Sequence, residues 1–250
     1  MEKKMKLTFL GTSGWYDSPT GNTSCILIET QQEYIVLDAG SGFYKLKDLL
    51  TNKKEVYIFF SHYHIDHFSG LHTLPLMHFE KGIKIFGPKG LLDLKNTILR
   101  KPYTRNVQDH PFEISFTEID DTTKLPFSTN TLQLEHSVPC WGYRFTLEEK
   151  TIVYCTDTSP CENLITLAAN ADLLITECSH APYAENPKKF HMTPKQAAEA
   201  AKEAEVKQLL LTHFSAPDYP EHSLRKKAEK IAQKIFPNTR ALFDDDVIII

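Results

Sequence analysis

Residues 56–71 read Val-Tyr-Ile-Phe-Phe-Ser-His-Tyr-His-Ile-Asp-His-Phe-Ser-Gly-Leu, and no other stretch restricts the fold as strongly. The β-branched and aromatic run from Val56 to Phe60 predicts a buried strand. His62, His64, Asp66 and His67 follow it within six residues, where strand gives way to loop. Imidazole nitrogens beside a carboxylate suit Zn²⁺ and its neighbours better than the all-oxygen shells of Ca²⁺ or Mg²⁺. The bland alternative, a solvated histidine-rich loop, would crowd side chains that repel or desolvate one another after a buried strand. The fold must therefore bring a buried strand's end to a metal-competent edge.

That arrangement recurs along the chain. Runs over 131–135, 151–155, 172–176 and 208–211 predict strands, and they lead into His136, Asp157, Glu177 and His213. Asp157 has two readings from its own segment: an N-terminal cap for the helix that begins near Pro160 and runs to 169, or a site residue. Strands are also expected over 6–10, 24–29, 33–38, 83–86, 112–119 and 143–147, with 239–243 and 247–250 flanking an acidic turn. Helical spacing predicts helices over 43–50, 68–79, 91–99 and 224–235, and one after Thr193 with Pro194 at its first position. A polar turn from Asn52 leads into the central strand. His72 and His78 have no companion ligand at close spacing and read as structural. Asp38, before Ala-Gly, reads as a turn residue with at most a supporting role at the site. The loop Gly11-Thr-Ser-Gly14 permits a sharp turn, expected to approach the site. Open α/β sheets gather ligands at the carboxyl ends of their strands, so all these loop ends are expected along one edge.

Composition narrows the partners. The chain has 250 residues, 41% of them hydrophobic and 24% charged, with a formal net charge of −4, so no global basic field draws it onto nucleic acid. A local basic patch is left open, for example around Arg100, Lys101 and Arg105, and the irregular stretch over 101–112 is suited to shaping a substrate entrance. The five cysteines, Cys25, Cys140, Cys155, Cys161 and Cys178, are odd in number and form no C-x-x-C pair. They argue for a reducing compartment, the cytoplasm, and against a disulfide framework or a zinc knuckle. The charged opening Met1-Glu-Lys-Lys-Met-Lys does not read as a signal peptide, and no apolar run reaches the length of a membrane span. No linker, repeat or low-complexity segment divides the chain, so a single domain over 1–250 is expected.

His62, His64, Asp66, His67, His136, Asp157 and His213 are too many ligands for one tetrahedral zinc. Two divalent metals sharing a carboxylate fit the number, and such a pair lowers the pKa of a water between them. The motif His62-Tyr-His64-Ile-Asp66-His67 resembles the H-x-H-x-D-H signature of the metallo-β-lactamase superfamily. Within it the chain is most similar to the ribonuclease Z branch. Leu10-Gly-Thr-Ser-Gly14, Glu135-His136, Gly142-Tyr143, Thr156-Asp157-Thr158, Glu177, His191-Met-Thr193 and Leu211-Thr-His213-Phe-Ser215 recur in that branch's order.

The resemblance implies an α/β fold, an αββα sandwich of two mixed sheets flanked by helices. It implies that His62, His64 and His136 hold one metal and Asp66, His67 and His213 the other, with Asp157 bridging. Zn²⁺ is the expected ion, with Mn and Fe the alternatives. Asp66, His191 and Glu177 are the catalytic candidates, His191 near the leaving group and Glu177 orienting it. One departure bears on the substrate. Ribonuclease Z proteins carry a long arm between the third and fourth motifs, whereas here only twenty residues, read as a hairpin, separate His136 from Asp157. The stretches Glu135-His-Ser137 and Glu177-Cys-Ser-His180 also resemble bacterial cyclic-phosphate phosphodiesterases, although the cysteine-based zinc site of that branch is missing. A phosphodiesterase for small or cyclic phosphodiesters is thus the leading expectation. The alternatives are a ribonuclease Z-type endoribonuclease with an RNA substrate and a non-catalytic metal-binding protein of the same fold. Members of the family are often dimers, which makes a homodimer an expectation of the resemblance alone.

Overall fold

The computed structural model describes residues 5–50, 53–120, 122–184 and 189–250. Residues 1–4, in the charged opening segment, and Asn52, where the polar turn was expected to begin, lie outside them. The chain forms two compact units, one of residues 1–11, 23–124 and 245–250, the other of residues 12–22 and 125–244.

The first unit is built on a seven-stranded mixed sheet. Its order is Val247–Ile249, Lys6–Gly11, Cys25–Glu29, Glu33–Leu37, Glu55–Phe59, Ile83–Gly87 and Ile114–Glu118. The first four strands pair antiparallel, and from Glu33–Leu37 onward the pairing is parallel. The strand Glu55–Phe59 lies inside this sheet, which is why its sequence is apolar on both faces. Leu27, Val36, Phe43, Ile58, Phe60, Leu71 and Ile85 form the core beside it.

The second unit repeats the plan with six strands: Thr239–Ala241, Leu209–Thr212, Leu173–Glu177, Lys150–Cys155, Cys140–Leu147 and Ser128–Leu134. The first four run parallel, and the last two return antiparallel as a meander. The helices Glu162–Ala168, Pro194–Glu203 and His222–Gln233 contribute to its core through Leu164, Leu167, Ala197, Ala201, Ala228 and Ala232. Small alanines let the last two helices lie close. Thr193 caps the second of them in a reciprocal capping box with Gln196, with Pro194 at the first turn, as the sequence predicts.

Several elements differ from expectation. The helix expected over 43–50 is a 3-10 segment, Ser41–Lys45, followed by a single α-turn, Leu46–Leu49. The one expected over 68–79 is the 3-10 segment Ser69–Leu76, which contains Pro75. Pro75 has no N–H to give to an α-helical ladder. Gly70 also sits so close to the Gly40 and Ala39 carbonyls that a Cβ there would collide with both. Pro160 precedes its helix, whose N-cap is Cys161. The last two strands do not form a hairpin: Thr239–Ala241 pairs with Leu209–Thr212, whereas Val247–Ile249 pairs with Lys6–Gly11 in the other sheet.

Candidate metal centre

In the first unit, parallel pairing aligns Leu37 with Phe59, so the loops after these strands leave the sheet side by side. One carries Asp38, the other Ser61 to His67. His62, His67 and Asp38 are fully buried. Asp38 Oδ1 accepts the Ser61 N–H at 2.8 Å, and Oδ2 accepts the Ser61 hydroxyl and His67 Nδ1, each at 2.8 Å. This carboxylate fixes two imidazoles by one argument. Since His67 gives its Nδ1 proton to Asp38, the lone pair of the neutral ring is on Nε2, which lies 3.5 Å from Asp66 Oδ2. Since Ser61 gives its only proton to Asp38, its oxygen accepts from His62 Nδ1 at 3.0 Å. The His62 lone pair is then also on Nε2, which lies 2.9 Å from His64 Nδ1.

The second unit follows the same design. Its parallel register matches Cys155 with Thr176 and Glu177 with Thr212, bringing Asp157, Glu177 and His213 to one edge. The antiparallel meander returns His136 to that edge. Asp157 is buried on a left-handed backbone, φ +48°, and its Oδ2 lies 3.3 Å from His213 Nε2. Its Oδ1 lies 4.0 Å from both His136 Nε2 and His191 Nδ1. The capping reading of Asp157 is set aside, because its helix starts at Glu162 and the N-cap position falls on Cys161. Ser179 gives its proton to the His213 carbonyl at 2.9 Å and therefore accepts from His213 Nδ1 at 2.9 Å, again leaving Nε2 with the lone pair.

Glu177 is fully buried and accepts the backbone N–H groups of Thr158, Ser179 and Met192. Both its oxygens also reach His191 Nδ1, at 3.0 and 3.1 Å. Within this unit His136, Asp157 and His191 converge, as do Glu177, His191 and His213, with donor atoms within 4.8 Å of one another in each group. His72 and His78 lie in the open, and His72 Nδ1 bonds the Ser69 carbonyl at 2.6 Å.

The donor set fits divalent cations on a specific ground. Nε2 of His67 faces Asp66, and Nε2 of His213 faces Asp157, so with the imidazole neutral and the carboxylate ionised an acceptor confronts an acceptor in each pair. A bound proton or a cation relieves that conflict. Oxygen partners behind metal-ligating imidazoles are also the usual means of fixing such ligands. Of the oxygens that fix these rings, those of Ser61 and Ser179 were not assigned from sequence, and Asp38 was read as a turn residue with at most a supporting role. The local signal was a serine directly before His62 and another two residues after Glu177.

A beta-lactamase superfamily domain profile matches residues 33–214. A ribonuclease Z of Enterococcus faecalis (strain ATCC 700802 / V583) is 30% identical, with 98% of this chain and 97% of that protein aligned. The alignment runs to 308 residues against a chain of 250, so that relative carries stretches this chain lacks. The metallo-beta-lactamase fold protein YhfI from Bacillus subtilis superposes with a TM-score of 0.80 at 23% identity, over 99% of this chain and 100% of that one. A diphosphatase of the PhnP family superposes with a TM-score of 0.73 at 16% identity, over 99% and 97%. These two likenesses are of fold.

Proposed function

From the premise that the chain belongs to the metallo-β-lactamase superfamily, we propose that it is a dinuclear metal-dependent hydrolase, a single domain over 1–250, cleaving small or cyclic phosphodiesters. His62, His64 and His136 hold one ion, Asp66, His67 and His213 the other, and Asp157 is shared. Two zinc ions bound by this set supply Lewis acidity toward phosphoryl oxygens and water activated near neutral pH. The catalytic set is Asp66, Glu177 and His191. The protein works in a reducing cytoplasm, a reading supported by its five free thiols.

The observation that carries the phosphate-ester reading is the Glu177–His191 pair. Glu177 holds the His191 Nδ1 proton at 3.0 Å and, being an anion, stabilises the doubly protonated ring. That leaves Nε2–H to protonate a departing alkoxide, the step a phosphodiester requires. The small-substrate reading is supported by the interval between His136 and Asp157, which the strands Cys140–Leu147 and Lys150–Cys155 occupy with a tight turn between them.

The test is turnover of bis(p-nitrophenyl) phosphate and a panel of cyclic nucleotides by zinc- or manganese-loaded protein. EDTA should abolish it, and His191→Ala should lower kcat by roughly a hundredfold or more. A fully active His191→Ala variant would remove His191 from the mechanism. The ribonuclease Z reading is favoured by the 30% identity to the Enterococcus faecalis protein. It predicts cleavage of a 3′-extended transfer RNA at one defined site, and small diesters would then be poor substrates.

A further inference from the structure

The loop between Gly11 and Thr23 holds two large aromatic side chains in the open, Trp15 at 69% and Tyr16 at 47% exposure. Neither is a ligand or an acid in the reaction proposed above. Trp15 also stands on a left-handed backbone, φ +75°, a conformation that bulky L-residues avoid. Such strain persists only where the surroundings over-determine it.

Here they do. Asp244 accepts the Thr12 N–H at 3.0 Å, the Thr12 hydroxyl at 2.7 Å and the Asn22 N–H at 2.8 Å, clamping both ends of the loop. The buried Arg225 donates to the Thr12 and Ser13 hydroxyls at 2.7 and 2.9 Å. Ser18 and Gly21 exchange two backbone bonds of 3.1 Å, and Ser13–Gly14 pairs in parallel with Phe214–Ser215. The Tyr16 ring meets Trp15 edge-on, with centroids 5.5 Å apart. The indole is therefore mounted on a rigid support.

Trp15 lines a cavity of about 440 Å³ that also reaches His191, His213, His180, Ser179 and Asp218. The volume falls in the range of small-molecule sites, ample for a nucleoside and far too small for a folded RNA. We infer that Trp15 is the stacking face for a planar heterocyclic base, so that the substrate class is a nucleoside phosphodiester whose base rests on the indole while its phosphorus lies toward His191. An aromatic face takes any base, because every base offers a π-face. The Asp218 carboxylate, one oxygen of which accepts the Ala181 N–H at 3.1 Å, is an acceptor in the same lining for a sugar hydroxyl or an exocyclic amine. This assignment rests on the phosphodiesterase reading for the bond cleaved, but not for the stacking.

The test uses two esters that differ only in the base, the methyl ester of uridine 5′-monophosphate and the methyl ester of ribose 5-phosphate. The readout is the ratio of their kcat/KM values in the metal-loaded protein. Trp15→Ala should reduce that ratio about tenfold or more, chiefly through KM of the uridine ester, and Trp15→Phe should keep most of it. Independently of turnover, uridine 5′-monophosphate should quench the Trp15 emission, identified by its loss in Trp15→Phe against the remaining Trp141, and ribose 5-phosphate should not. A ratio unchanged in Trp15→Ala, or an emission indifferent to the base, overturns the inference. If neither ester turns over while uridine 5′-monophosphate still quenches, the stacking site stands and the hydrolytic reading falls.

Discussion

Asp38 shows how much chemistry one buried carboxylate can direct. Through Ser61 and His67 it sets the tautomers of two imidazoles, and Ser179 does the same for His213. Asp38→Asn should weaken metal binding by roughly 10–100-fold, because an amide presents donors where Ser61 and His67 need an acceptor. Competition with a calibrated chelator measures this, and unchanged affinity would mean that the tautomers are set some other way. The seven candidate ligands stand out in the sequence because His62 to His67 crowd into one loop and the others follow predicted strands. Their supporting oxygens do not. Asp38 and His67 are separated by 29 positions, and Ser179 and His213 by 34, distances over which spacing says nothing about contact. Asp38 was read as a turn residue, and it does have a left-handed backbone, φ +54°. Both roles follow from its place at the end of Glu33–Leu37.

Among elements, strands were read best where a run was apolar throughout, as in Glu55–Phe59 and Leu173–Glu177. Boundaries failed where local chemistry overrode periodicity, as with Pro75 and the close-packed Gly70. The pairing of the last two strands could not be read at all, since periodicity describes a strand's faces and not its neighbours. The acidic residues between them are not simply a turn, for Asp244 holds the Trp15 loop. Arg225, on the helix His222–Gln233, is the other half of that clamp. Burial pushes its guanidinium down to about 10, so the folded protein bears a cost for the charged form at every pH below that value. Arg225→Met removes this cost but strands the Thr12, Ser13 and Leu242 oxygens. The net should be a loss of about 2 kcal/mol, read as a lower urea midpoint with unchanged m-value. An equally stable variant would show that the loop is fixed without the arginine.

At the scale of the whole molecule, each unit has a mixed sheet and brings a group of imidazoles and carboxylates to its strand ends. The order of motifs from Leu10 to Ser215 made the superfamily legible, and no helix among the described residues is long and apolar enough to cross a membrane. Substrate choice was less legible, because it depends on what lines a cavity rather than on which residues ligate. The net charge of −4 and the short interval after His136 favour a small phosphodiester over transfer RNA. At this scale the proposal is that the seven candidate ligands together hold two ions needed for phosphodiester cleavage. Its most direct measurement is bis(p-nitrophenyl) phosphate turnover as zinc is titrated into metal-free protein, with Asp157→Ala alongside. Turnover is expected to rise until two ions are bound per chain, and the variant to stay inactive at every zinc level. Less than one tightly bound ion per chain with no turnover, or an Asp157→Ala variant as active as the native protein, would contradict it.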